Sequence, residues 1–237
     1  MPQEPQEPRA VAFIDGQDLF HAARESFGYL YPNYDVLCLA RTVCMRQGWR
    51  LGEVHFYTGV PSAEDNPYWH RFWRRKLQVM QEAGVKVHTR PLRYRAPRRS
   101  GPPGQGAEGP RDNGARRTLP GQGKGIDIRI ALDIVRLARE KAYDVALIFS
   151  QDQALTEVAT ELRHIAAEQQ RWLKIASAYP CGAESRNRRG IDRTDWIRIE
   201  RALYDRCLDP RDYRQPDHEG TPAHLADLQL PSERQPY

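Results

Sequence analysis

Val11-Ala12-Phe13-Ile14 runs without a polar interruption into Asp15, Gly16 and then Asp18. An apolar run of this kind predicts a strand buried on both faces of a parallel sheet. Gly16 ends it, and Asp18-Leu19-Phe20 can open the next helix with Asp18 as its N-cap. Asp15 then stands at the carboxyl end of a central strand, where open α/β sheets place their ligands. A carboxylate there can equally cap a helix or bond a turn amide, so this window alone leaves both roles open.

The same alternation continues along the chain. Leu19–Phe27 and Asp35–Gln47 read as helices, flanking an aromatic loop that contains Tyr29, Tyr31 and Tyr34. Those tyrosines can stack on bases or pack over a domain edge. Glu53–Val60 is a second strand and Val85–His88 a third. Between them, Asn66–Ala83 is a helix in which Trp69, Phe72, Trp73, Leu77 and Met80 share a face, so its rings read as core. Ile126–Lys141 is a helix, Asp144–Ser150 a fourth strand, Ala154–Gln169 a helix and Trp172–Ala178 a fifth strand. A last helix is expected from about Thr194 to Leu208. The repeated strand–helix order predicts an α/β fold with a mostly parallel five-stranded sheet and helices on both faces.

Residues 1–9 form a Pro/Glu/Gln leader, 10–208 the domain, and 209–237 an expected poorly packed tail. The segment 96–123 is rich in Gly, Pro and Arg and reads as an insertion. Net charge is +5 over 237 residues, unevenly placed: Arg90–Lys124 holds nine basic and two acidic residues, a surplus of +7 that leaves −2 elsewhere. Such a patch suits an anionic partner, nucleic acid above all, or serves as a solvated loop. No apolar run approaches the ~20 residues that span a bilayer. The first residues lack a signal peptide's basic start and apolar stretch. Cys38, Cys44, Cys181 and Cys207 form no metal-type spacing and read as separate thiols suited to a reducing compartment, so a cytoplasmic protein is expected.

Two core strands ending in Asp15 and Asp152 would bring both side chains to one sheet edge if the strands are neighbours. Asp127 follows Lys124-Gly125 at a helix start, and Asp133 lies seven residues from Gly125's neighbour Ile126 on the same helix. Arg129, Asp133, Arg136 and Glu140 form a polar stripe, and a salt-bridged exposed face accounts for Asp133 without any chemistry.

Taken together, Asp15-Gly16-x-Asp18, Lys124-Gly125-Ile126-Asp127-x5-Asp133 and Ser150-x-Asp152 resemble the NYN-domain (LabA-like) family of PIN-like nucleases. The resemblance covers roughly residues 10–208. Asn187-Arg188-Arg189-Gly190-Ile191, Thr194-Asp195-Trp196 and Leu208–Tyr213 look like the end of a bacterial subgroup of that family. It implies a PIN-like three-layer sandwich and a Mg²⁺ or Mn²⁺ pocket lined by Asp15, Asp127, Asp133 and Asp152 as catalytic and metal-ligating residues. Hard divalent ions prefer carboxylate oxygen and retain waters, so few acids suffice. An activated water would hydrolyse an RNA phosphodiester. Asp18, Ser150, Lys124, Arg186, Arg188 and Arg189 are the expected substrate-binding residues, and the reading allows a homodimer.

Two departures bear on activity. Asp18 stands where the family usually has Asn, and Ala154 where it commonly has a second acid after Ser-x-Asp. A binding or regulatory module that has lost turnover is therefore one alternative. Another is an oxidoreductase, since some proteins resembling this subgroup are called 6-hydroxy-3-succinoylpyridine monooxygenases. No G-x-G-x-x-G follows the first strand to support that reading.

Overall fold

The computed structural model describes residues 2–92 and 125–214. The basic insertion at 96–123, Lys124 and the tail beyond residue 214 lie outside the described residues.

Strand β1 (Arg9–Asp15) is followed by helices α1 (Gly16–Phe27) and α2 (Val36–Gln47), then β2 (Arg50–Pro61), α3 (Pro67–Glu82) and β3 (Lys86–Leu92). The second half contains α4 (Ile126–Arg139), β4 (Val145–Phe149), α5 (Thr156–Glu168), β5 (Lys174–Pro180), β6 (Asp195–Ile199) and α6 (Arg201–Asp205). The sheet order is β3-β2-β1-β4-β5-β6, and every pair is parallel. All of Ala10–Ile14 and all of β4 are buried because β1 and β4 are central and covered on both faces.

Alternate residues of β1 feed two cores. Ala12 and Ile14 face a cluster with Leu19, Val36, Leu39, Phe56, Phe72 and Tyr204, under α1, α2, α3 and α6. Val11 and Phe13 face a second cluster with Ile130, Ile134, Ile148 and Leu162, under α4 and α5. Helix–sheet–helix layering follows from these two faces.

The sheet has six strands rather than the expected five. Residues 195–199, expected to begin a long helix, extend β5's edge through pairs such as Ser177 with Trp196 and Pro180 with Ile199. Trp196-Ile197-Arg198-Ile199 has strand-favouring residues in alternation, and that period prevails over the helical reading. Only Arg201–Asp205 is helical there.

The chain beyond residue 208 is also better packed than expected, as far as it is described. Tyr213 is buried against Phe72, and Asp209 bonds Lys76. Nor are all four cysteines separate. Cys38 on α2 and Cys207 after α6 form a disulfide, with Cα atoms 5.2 Å apart across a separation of 169 residues. Cys44 and Cys181 stay free. The pairing arises because the Tyr34–Leu208 bridge brings the chain end back beside α2, a return that residue spacing cannot show. Reduction is expected to cost about 2–4 kcal/mol of unfolding free energy by releasing so long a loop. Urea titration with and without reductant reads this; Cys38→Ala should show the loss in both conditions, and an unchanged midpoint for the native chain would contradict it.

Candidate active site

Between β1 and β4 the strand order reverses, and the crevice at such a switch point is where open α/β sheets bind ligands. β1 delivers Asp15 to this edge, one residue beyond the Ile14–Phe149 pair. Gly16 follows because a side chain there would strike the Phe56 ring, its Cβ lying only 2.8 Å from Phe56 Cε2. Asp15, and not Asp18, is the N-cap of α1: its Oδ1 accepts from the Gln17 and Asp18 amides, both at 3.0 Å. Capping and chemistry are thus not exclusive, since Oδ1 takes both amides.

Asp18 is in the first turn of α1 and reaches across to the loop after β4, where its Oδ2 accepts from the Gln151 amide at 2.6 Å. Ser150 is buried beside Asp18 and works against the rise of its carboxyl, and its Oγ accepts from the Asp152 amide at 3.1 Å. Asp152 caps the single 3-10 turn Gln153–Leu155 through the Ala154 amide. Asp127 is in the first turn of α4, after Gly125 at φ 93°.

Three of these carboxylates are shifted by their neighbours. Burial pushes the Asp15 carboxyl up to about 7, with further rises from Asp18 and Asp127 that outweigh its two amide bonds. Burial also raises Asp18, helped by Asp152, and raises Asp127, again with Asp152 contributing. Hard oxygen donors of like charge are what a Mg²⁺- or Mn²⁺-class cation takes, and such an ion would relieve that repulsion; to share one, these carboxylates must draw together, since among the described residues no three of them have oxygens all within 4.8 Å of one another.

Asp15 makes stability depend on pH. Folded Asp15 holds its proton more tightly than it does unfolded, so its contribution is full below about pH 4 and is lost as pH rises through about 7. The native chain should therefore lose stability between about pH 4 and 8 relative to Asp15→Asn, in chelator. Parallel denaturation profiles of the two proteins would contradict this.

Asp133 stands apart from that group. Its carboxylate accepts from Arg129 Nε at 2.7 Å, Tyr57 Oη at 3.1 Å and Arg136 at 3.4 Å. It faces β2 and β3, with His88 Nε2 at 3.9 Å. The salt-bridged stripe expected from its helical spacing is therefore present, yet Asp133 itself is buried at 3% exposure. Among the described residues, His55, His88 and Asp133 are the one trio of such side chains with ligand atoms all within 4.8 Å of one another.

The arginine loop after β5 borders the acidic group. Gln151 Nε2 donates to the Arg189 and Asn187 carbonyls, and Gln153 bonds the Gly190 carbonyl and Asp192 amide. Gly190 is required by closeness: a Cβ would lie 2.6 Å from Trp196 Cδ1. Arg188 spends its guanidinium on the Ser185 and Ala183 carbonyls, and Arg189 pairs with Asp192 at 2.9 Å. Arg186 is exposed and in no ion pair among the described residues; its amide is held by Glu25. Gln151, Gln153 and Glu25, none of them singled out by motif, position the loop through main-chain bonds that leave no trace in residue type. His55 and His88 were legible only as strand residues.

The family model described as the NYN domain matches residues 9–169. Comparison with curated proteins finds no match. Among solved structures, a protein of unknown function from Vibrio parahaemolyticus is similar at 16% identity and TM-score 0.49, over 84% of this chain and 97% of its own.

Proposed function

This chain belongs to the NYN-domain family, a PIN-like nuclease family, and on that footing we propose that it is a metal-dependent ribonuclease. The observation that carries the reading is the placement of Asp15, Asp18, Asp127 and Asp152 around the β1/β4 switch point, where Asp18 and Asp127 push the Asp15 carboxyl further up, to about 7, and Asp152 raises both Asp18 and Asp127. Asp15, Asp127 and Asp152 would hold the cation, with Asp18 and Ser150 fixing the loop that carries Asp152. When bound, Mg²⁺ or Mn²⁺ supplies a lowered water pKa and offsets charge on the leaving oxygen. Asp15 would offer its Oδ2 to the cation, its Oδ1 being taken by the Gln17 and Asp18 amides. Arg186 binds a flanking phosphate, while Arg188 and Arg189 shape the loop beside it. Asp133 has no part in this step. Within the family we read the chain as LabA-like, and the residues at 187–191 and 194–196 as those of a bacterial subgroup.

The direct test is incubation of the full chain with single-stranded and hairpin RNA in Mn²⁺ or Mg²⁺. Cleavage that chelator stops and that Asp152→Asn slows by at least about 10²-fold is expected. No cleavage under any metal overturns the reading. Arg186→Ala should weaken RNA binding and lower the salt slope by about 1.

Ala154 favours a second reading, an RNA-binding NYN module without turnover. There the family's second acid is a methyl group whose amide bonds Asp152 at 2.9 Å. It predicts salt-dependent RNA binding, indifferent to chelator, with cleavage appearing only in Ala154→Asp. We place the protein in the cytoplasm, where Cys38 and Cys207 would be reduced for most of its life. A homodimer is part of the same reading, and size measurement in solution tests it.

No helix among the described residues is long and apolar enough to cross a membrane.

A further inference from the structure

His55 is on β2 and His88 on β3, diagonal to one another across the parallel pair in which Tyr57 faces His88. Both rings lie under α4, which supplies Asp133 from above. His55 is 2% exposed, and its ring lies within 7° of parallel to that of His88, edge to edge, with the facing nitrogens 3.3 Å apart. Tyr57 stacks on His88 at 4.6 Å, so both imidazoles are fixed in orientation.

Hydrogen bonding sets which nitrogens point inward. His55 Nε2 donates to Glu53 Oε2 at 3.0 Å, a carboxylate that Lys86 also holds at 2.8 Å. That leaves the lone pair of His55 Nδ1 facing His88 Nε2 at 3.3 Å. At that separation the two nitrogens share at most one proton. Asp133 Oδ2 is 3.9 Å from the same His88 Nε2 and is held in place by the Tyr57 hydroxyl.

A tetrahedral ion with bonds of ~2.0–2.1 Å sets neighbouring donors roughly 3.3–3.4 Å apart. The two imidazoles already have that spacing, each ring turning so that its lone pair points at the ion, and Asp133 closes by about half an ångström on His88. An outer carboxylate on the far nitrogen of a histidine is the usual device for fixing the tautomer of a metal ligand, and Glu53 fills that place. A hollow of about 310 Å³, lined by Tyr57, Thr89, Ile126 and Arg129 as well as His88, adjoins the trio on the His88 side.

We propose that His55 Nδ1, His88 Nε2 and Asp133 Oδ2 form a second metal site, separate from the acidic group, for a zinc-class transition-metal cation with its fourth position open to this hollow. Two nitrogen donors and one carboxylate select zinc, cobalt or nickel over magnesium, which prefers oxygen alone. The ion displaces the proton shared by the imidazoles and competes with Arg129 for Asp133 Oδ2. Arg129 and Arg136 are 42% and 52% exposed at the side chain, so each can turn to solvent. This assignment does not depend on the ribonuclease reading.

The test uses the full chain, stripped with chelator and titrated with Co²⁺. A stoichiometric, intense visible band of a four-coordinate cobalt ion, displaced by Zn²⁺, is expected. His88→Gln and His88→Ala should abolish it and weaken Zn²⁺ binding by at least about 10²-fold, while Asp15→Asn keeps it. Arg129→Gln should tighten Zn²⁺ by about threefold to tenfold as a screened like charge is removed. Circular dichroism establishes which His88 variant is folded and read. A titration without the band, the same band in the His88 variants, or its loss in Asp15→Asn would each overturn the assignment.

Discussion

Asp15→Asn is expected to reduce metal-dependent RNA cleavage by about 10²–10³-fold or more and, in the same protein, to raise stability above neutral pH. Both effects have one cause. Asp15 is 7% exposed at the end of a central strand with Asp18 and Asp127 close enough to push its carboxyl further up, to about 7 from 3.8. Holding that group ionised at about pH 8 costs the folded state up to about 4 kcal/mol. Asparagine has the same shape and can still accept the Gln17 and Asp18 amides, so the cap on α1 survives. What it lacks is the charge that a divalent cation would neutralise. A folded Asp15→Asn protein with native-level cleavage would contradict this. So would one that is less stable than the native chain at about pH 8 in chelator.

The second large effect lies on the opposite face of the sheet. Asp209→Ala should cost about 3–5 kcal/mol, because it strands a buried ammonium. Lys76 is fully buried, with its Nζ 3.1 Å from Asp209 Oδ2 and 2.8 Å from the Tyr34 carbonyl. The Tyr34 and Tyr213 rings lie 5.4 and 5.0 Å from that ammonium. Burial lowers the Lys76 pKa and Asp209 works against that fall. Without Asp209 the ammonium sheds its proton more readily, so the loss should shrink as pH rises. Replacing both partners by apolar residues, as in Lys76→Met with Asp209→Leu, should recover most of the stability. Denaturant titration of the three proteins decides it, and a loss below about 1 kcal/mol in Asp209→Ala would refute the assignment. The latch also bears on the site, since Tyr34 Oη donates to the Gly16 carbonyl at 3.0 Å, next to Asp15.

Much of this arrangement was legible in residue order. Val11–Ile14 and Val145–Phe149 are apolar runs that only a sheet covered on both faces can use, and each ends where a carboxylate follows. Their adjacency puts Asp15 and Asp152 on one edge, as their common position in the strand pattern suggested. Asp133 was harder. Its helical stripe pointed to arginine partners, the motif pointed to the acidic group, and the side chain in fact turns to β2 and β3. That choice depends on how α4 is rotated over the sheet, which one-dimensional spacing does not specify. β6 is not legible in residue order because helix-forming residues follow Trp196–Ile199 directly; the edge of β5 supplies hydrogen-bond partners that local preference does not reveal. The 169-residue closure between Cys38 and Cys207 and the Lys76–Asp209 pair are long-range meetings of the same kind.

The central claim is that aspartates distant in sequence hold one divalent cation at the β1/β4 switch point. Mn²⁺ binding, followed by the loss of the free-ion electron paramagnetic resonance signal at about pH 8, tests it most directly. The native chain and His88→Gln should bind alike, while Asp15→Asn and Asp152→Asn should each bind at least about tenfold more weakly. Unchanged Mn²⁺ affinity in both aspartate variants would contradict the claim.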